Sequence, residues 1–197
     1  MKPKLTLRDP ADIAAAVPYL LGFHPADSLV VLGLRGKAVT VVQRWDLVAR
    51  VEALCSAIAE VLAGSPVDAV LLVGYGDPTR VRRAVRALRD ELTAPLRAAV
   101  RVTGERCFCE LCADCTPVDG LPFDVTETRV AAQATVAGLV ALPSREDLVA
   151  KVAPVEGAAR EAMAAAVRRA DDRLAELLNA ARTDADPFGG AAIRAEG

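Results

Sequence analysis

Apolar residues follow two rhythms along this chain, and the rhythm sorts its segments into strands and helices. Ser28 to Leu34 (SLVVLGL) and Val67 to Val73 are nearly unbroken apolar runs of strand length, as expected for strands covered on both faces. Ala38 to Arg44 carries Val39, Val41 and Val42 and follows the first run across Arg35-Gly36-Lys37, so these two segments read as a hairpin. From Asp46 to Ala63 the rhythm changes: Leu47, Val51, Leu54, Ile58, Val61 and Leu62 recur at helical spacing, and Gly64-Ser65-Pro66 stops the run. Asp77-Pro78 opens a second helix whose inner stripe is Val81, Val85, Leu88 and Leu92. Ala98 to Thr103 reads as a further strand.

The flanks are helical. Asp9-Pro10 is an N-cap and first turn, opening a short helix that Pro18 and Gly22 are expected to end. Thr126 to Leu139 reads as a helix, Ser144 to Asp147 as a capped helix start, and Glu156 to Arg182 as a long Ala-rich helix. The order β-β-α-β-α-β predicts an α/β fold: a layered sheet with an antiparallel edge hairpin and βα crossovers, plus C-terminal helices. A length of 197 residues suits one domain with an appendage. The expected division is an α/β domain over 1–153, the Ala-rich helix over 154–182, and a flexible tail over 183–197.

Composition narrows the setting. Hydrophobic residues make up 53% and charged residues 25%, which predicts a folded protein. A net charge of -2 provides no global field to draw a polyanion. The first residues mix Arg8, Asp9 and Asp12 with prolines 10 and 18, unlike the apolar core of a secretion signal, and no apolar run is long enough to cross a membrane. A cytoplasmic location with reduced thiols is therefore expected.

Four of the five cysteines crowd into RCFCELCADC, residues 106 to 115. In an extended segment Cys107 and Cys109 share a face, and a turn can bring Cys112 and Cys115 back toward them. Cys107, Cys109, Cys112 and Cys115 are thus the candidate ligands of a structural Zn²⁺ site, a compact arrangement that leaves room for one ligand from elsewhere. His24 is a candidate for that place. Other readings stay open: reduced structural thiols or a disulfide such as Cys109–Cys115, an iron-sulfur cluster drawing on Cys107 or Cys55, and a redox CxxC. The last is disfavoured because Glu110, Asp114 and Asp119 oppose thiolate formation.

Elsewhere the signals are weaker. His24-Pro25-Ala26-Asp27-Ser28 has residue types for acid–base work but also those of a tight strand entry. VLLVGYGDPTRV is a strand, a Gly-x-Gly turn and a helix start, yet Thr79 stands where a dinucleotide fingerprint needs glycine, and Asp77 would repel a phosphate. Arginines 80, 82, 83, 86, 89, 97, 101 and 106 give residues 80–106 a local positive excess. With few aromatics for base stacking, this reads as a solvated helix face more readily than as a nucleic-acid surface.

The segments PADIAAAVPYLLGFHPADSLVVLGL, CTPVDGLPF and VAGLVALPSREDL together resemble an actinobacterial family known as domain of unknown function 4192. The resemblance spans about residues 5 to 155 and implies that the cysteine stretch, followed by Pro117 and Gly120, is a family feature. It implies no activity and no catalytic residue. The expectation is a protein that binds or regulates, with a zinc knuckle at 107–115. The rivals are a redox or iron-sulfur enzyme using the same cysteines, and a phosphate or nucleic-acid binder using the arginine face of residues 80–101. Met163, Val167, Leu174, Leu177 and Leu178 on the long helix suit a protein partner or self-association.

Overall fold

A computed structural model of the chain describes residues 7–48, 50–112 and 114–184. The chain forms two compact units, Met1–Lys151 and Val152–Gly197. The first is an α/β domain. Its elements run α1 (Pro10–Leu21), β1 (Ser28–Arg35), β2 (Ala38–Asp46), α2 (Val51–Ala63), β3 (Ala69–Tyr75), α3 (Pro78–Glu91), β4 (Leu96–Thr103), β5 (Arg106–Cys109), β6 (Leu121–Pro122), a 3-10 turn (Val125–Glu127), α4 (Arg129–Val136) and α5 (Arg145–Lys151). The strands form one sheet in the order β2-β1-β3-β4-β5-β6. Only β3 and β4 pair in parallel, joined by α3; the other pairings are antiparallel. The predicted hairpin is β1–β2, with β2 at the sheet edge.

Alternation along the strands builds two cores. Leu29, Val31, Val70, Leu72 and Ala99 face α2 and α3, meeting Leu54, Ile58, Val81, Val85 and Leu88. Val30, Leu32, Leu71, Val73 and Val100 face the other way, toward α1 and Val130 of α4. Both faces of β1 and β3 are therefore covered, which is why these segments read as continuous apolar runs instead of alternating ones. Burial at both faces is the main stabilising term, at about 25 cal/mol per Å² of apolar surface removed from water.

Boundaries moved where local and tertiary demands diverged. β2 continues to Asp46, and Leu47 is buried before α2 begins, its N–H donating to the Asp27 carbonyl at 2.8 Å. The helix expected from Asp46 therefore starts at Val51, because Leu47 is held as a strand extension. Val61, counted in the apolar stripe, is exposed. The Thr126–Leu139 segment splits into the 3-10 turn and α4, with Thr128 capping the latter through a bond from the Ala131 N–H.

Pro18 does not end α1, which runs on to Leu21 and is closed by Gly22 with φ 81°. Proline removes the N–H that would bond the carbonyl of residue 14. The Tyr75 hydroxyl donates to that Ala14 carbonyl at 3.4 Å. A side chain from β3 thus supplies the missing donor, so the helix tolerates a proline that sequence reasoning treats as a stop.

At Gly74 on β3 the α3 side chain Val81 packs directly against the strand. A Cβ there would lie 2.4 Å from Cγ1 and 2.8 Å from Cγ2 of Val81, a fully buried side chain that is stiff about χ1 because it is β-branched. Gly74→Ala is expected to destabilise the domain by about 1–3 kcal/mol through overpacking, with chemical denaturation as the check. Gly74→Ala combined with Val81→Ala should lose less than the two single changes added together.

The second unit contains α6 (Gly157–Asp184). Met163, Val167, Leu174, Leu177 and Leu178 are exposed on it. The expected tail lies almost wholly outside the described residues.

Candidate functional site

Three chain segments converge at one end of the sheet. The carboxyl ends of β3 and β4 lie side by side, and Ser28 at the start of β1 is paired with Tyr75. A cavity of about 610 Å³ opens there. Its walls are the entry loop His24–Asp27, the turn Tyr75–Asp77 between β3 and α3, the turn Thr103–Glu105 between β4 and β5, residues Phe123–Val125, and Ala14 and Pro18 of α1. In α/β sheets ligands bind outside the carboxyl ends of parallel strands, since the loops there leave a crevice that the helices do not fill.

The lining is acidic. Asp27, Asp77, Glu105 and Asp124 contribute to it along with His24, and among the described residues no lysine or arginine lines it. Asp77 caps α3, accepting from the Arg80 N–H at 2.8 Å. Asp124 accepts from the hydroxyl of Thr126 at 2.7 Å and from its N–H at 2.8 Å. These bonds favour the charged form and hold its carboxyl below the usual range. Asp27 has φ 41°, the one left-handed non-glycine residue among those described, a conformation that aspartate tolerates better than most. Across from it Gly76 has φ 112°, and a Cβ at Gly76 would lie 2.6 Å from Asp27 Oδ1. Glycine at 76 is what lets that carboxylate sit against the backbone of the βα turn.

Behind this rim the Tyr75 phenol is committed to the Ala14 carbonyl, and burial pushes its pKa up, so it stays neutral. Ser28, its cross-strand neighbour, is fully buried with Oγ unpartnered. His24 donates its backbone N–H to the Leu142 carbonyl at 2.9 Å. The sequence drew notice separately to His24, Asp27 and Asp77, and the fold brings them to one cavity. Tyr75, Glu105 and Asp124 passed unnoticed. The available signal was positional: Glu105 follows the carboxyl end of β4 by two residues.

The cysteine segment starts beside the carboxyl end of β4, where Cys107 pairs with Val102, and runs back along that strand. Register pairs Arg106 with Thr103 beside the cavity and Cys109 with Val100 farther along, so the loop after Cys109 leads away from His24. Cys112 and Cys115 form a disulfide, while Cys107 and Cys109 are free. The sequence had favoured a zinc site on Cys107, Cys109, Cys112 and Cys115, with reduced thiols or a bridge such as Cys109–Cys115 as the alternative; the structure instead pairs Cys112 with Cys115 in a C-x-x-C. Cys107 is buried in the core under α1, and burial, with Asp9 nearby, pushes its thiol pKa up. Cys55 lies in the opposite core against α3, its thiol 3.6 Å from the Ala84 carbonyl and pushed up to about 12 mainly by burial. The sheet separates it from Cys107, which removes it as a partner for the cluster. Among the described residues, no three His, Cys, Asp or Glu side chains are gathered as a ready-made metal site.

The arginine segment is partly consumed by ion pairs. Arg83 pairs with Glu52, Arg82 lies 3.8 Å from Glu110, and Arg101 is buried against Glu110 at 2.6 Å. Arg106 reaches the Gly120 carbonyl at 3.4 Å. Arg80, Arg86 and Arg89 remain exposed on α3. That is the solvated face expected of an amphipathic helix.

The fold and cavity define an α/β domain with a solvent-open acidic site at the carboxyl ends of its parallel strands. The chain belongs to the family described as domain of unknown function (DUF4192), which matches residues 10–196. No curated protein and no solved structure matches it. Among the described residues, no helix is long and apolar enough to cross a membrane.

Proposed function

We propose that the protein is a binding protein whose cavity takes a small organic cation, such as an amine or guanidine. The observation that carries this reading is the lining itself: among the described residues, four carboxylates, one histidine and no lysine or arginine surround about 610 Å³. Low-dielectric walls focus such a field and raise the local concentration of the opposite charge. Anions are disfavoured twice over, since Asp77 both adds charge and occupies an amide at the α3 amino terminus. Among the described residues no nucleophile–base hydrogen bond lines the cavity, and the Tyr75 hydroxyl is already engaged, which supports binding over catalysis.

The test is a thermal-shift and calorimetry panel of diamines, guanidines, carboxylates and nucleotides. A cation at about 100 times its Kd should add about 2.7 kcal/mol of stability and raise Tm by several degrees. Asp27→Asn with Glu105→Gln should weaken that binding at least about 10-fold, as expected for losing two charge-assisted contacts. Preference for an anion, or equal cation binding by the double variant, would reject the reading.

A further inference from the structure

The disulfide between Cys112 and Cys115 has the wrong attributes for a staple. It closes only a C-x-x-C loop with a sequence separation of 3, where the restriction of the unfolded chain is smallest. Both cysteines are exposed, and exposed bridges are the reducible ones. The ends of the loop are also pinned without it. The Glu110 N–H donates to the Ala99 carbonyl at 2.8 Å, its carboxylate is held by Arg101 at 2.6 Å, and the Cys109 N–H donates to Thr116 Oγ1 at 3.4 Å. That last bond ties Cys109 to the residue adjoining Cys115. The Cα atoms of Cys112 and Cys115 are 5.5 Å apart.

We propose that Cys109, Cys112 and Cys115 form a redox-gated zinc site, in which the Cys112–Cys115 disulfide is the metal-free state and its reduction opens a three-thiolate site. Cys107 belongs to the core instead, because it is 1% exposed and packed under α1. His24 lines the cavity at the carboxyl end of β4, from which β5 carries the chain away as it runs from Arg106 to Cys109, and Cys55 lies across the sheet. The fourth position therefore falls to water or to a ligand from outside the chain, as in open zinc sites. The required reductant is a dithiol. Its thiolate attacks one sulfur of the bridge, breaks the S–S bond and forms a mixed disulfide, which its second thiol then resolves. Two electrons and two protons pass to Cys112 and Cys115, and the dithiol leaves as a disulfide. Zinc binding then releases three protons, one from each thiol.

The experiment counts thiols and zinc on the full chain. Alkylation under denaturing conditions should label three cysteines before dithiol treatment, namely Cys55, Cys107 and Cys109, and all five afterwards. Reduced protein freed of reductant under argon should bind one zinc per chain and the disulfide form none. Cys109→Ser and Cys112→Ser should each weaken zinc binding about 100-fold or more, whereas Cys107→Ala should leave it nearly unchanged. If a serine variant does not fold, native alkylation of the wild-type chain gives the same answer: zinc should slow labelling at 109, 112 and 115 and not at 107. Five free thiols in protein purified under air, zinc bound equally by both forms, no zinc in the reduced form, or loss of zinc in Cys107→Ala would each overturn the proposal.

Discussion

Arg101→Met is expected to cost about 3–5 kcal/mol of folding stability. The guanidinium is enclosed on every side that matters. Nε donates to Glu110 Oε1 at 2.6 Å, an outer nitrogen donates to Thr103 Oγ1 at 2.8 Å, and its carbon stands 3.7 Å from the centre of the Phe108 ring. Its side chain is 7% exposed and that of Glu110 8%. Removing the arginine strands a carboxylate out of water, with Arg82 at 3.8 Å as its remaining ion-pair partner among the described residues. The pair itself contributes much less than its disruption costs, because each ion has already lost its hydration. Arg101→Met with Glu110→Leu should therefore recover most of the loss. Urea midpoints of the three variants decide the matter: a double variant as unstable as the single one would show that packing on Phe108, and not the stranded charge, is responsible.

Leu72→Ala should cost about 2–5 kcal/mol, since it removes a fully buried side chain from the centre of β3 and leaves a cavity between the sheet and α2 and α3. α2 and α3 share this core with Val70, Ala99 and the other buried side chains around Leu72, which oppose closure of the gap by simple collapse. A fall in Tm of several degrees in a calorimetric scan is the expected readout. Val118→Ala, at a position 99% exposed, should leave Tm unchanged.

Much of the fold was legible because the signals were local and mutually consistent. Asp9 and Asp77 do cap α1 and α3, and Ser144 exchanges bonds with Asp147 at the start of α5. The runs of β1 and β3 announced strands buried on both faces. What stayed hidden depended on partners distant in sequence. Nothing near Pro18 indicates that a tyrosine 57 positions later will satisfy the carbonyl it orphans. The cavity was illegible for the same reason. His24, Asp77, Glu105 and Asp124 come together only once β3 and β4 lie parallel, and each has a turn-forming or capping role that explains it locally. The cysteines were conspicuous in sequence, yet which two would pair depended on the strand that takes Cys107 into the core.

The order of the sheet also bears on how the chain comes together. β1 and β2 meet through a tight turn, and β3 and β4 meet through α3. Each pair is contiguous in the chain, so its loop closes early and at small entropic cost. The ladder from Ser28–Tyr75 to Leu34–Ala69 joins the two pairs. That seam needs the longest closure in the central sheet, and it brings the entry loop against the turn after β3. The acidic cavity therefore sits at the joint that needs the longest loop closure in the sheet, where the two locally closed strand pairs meet.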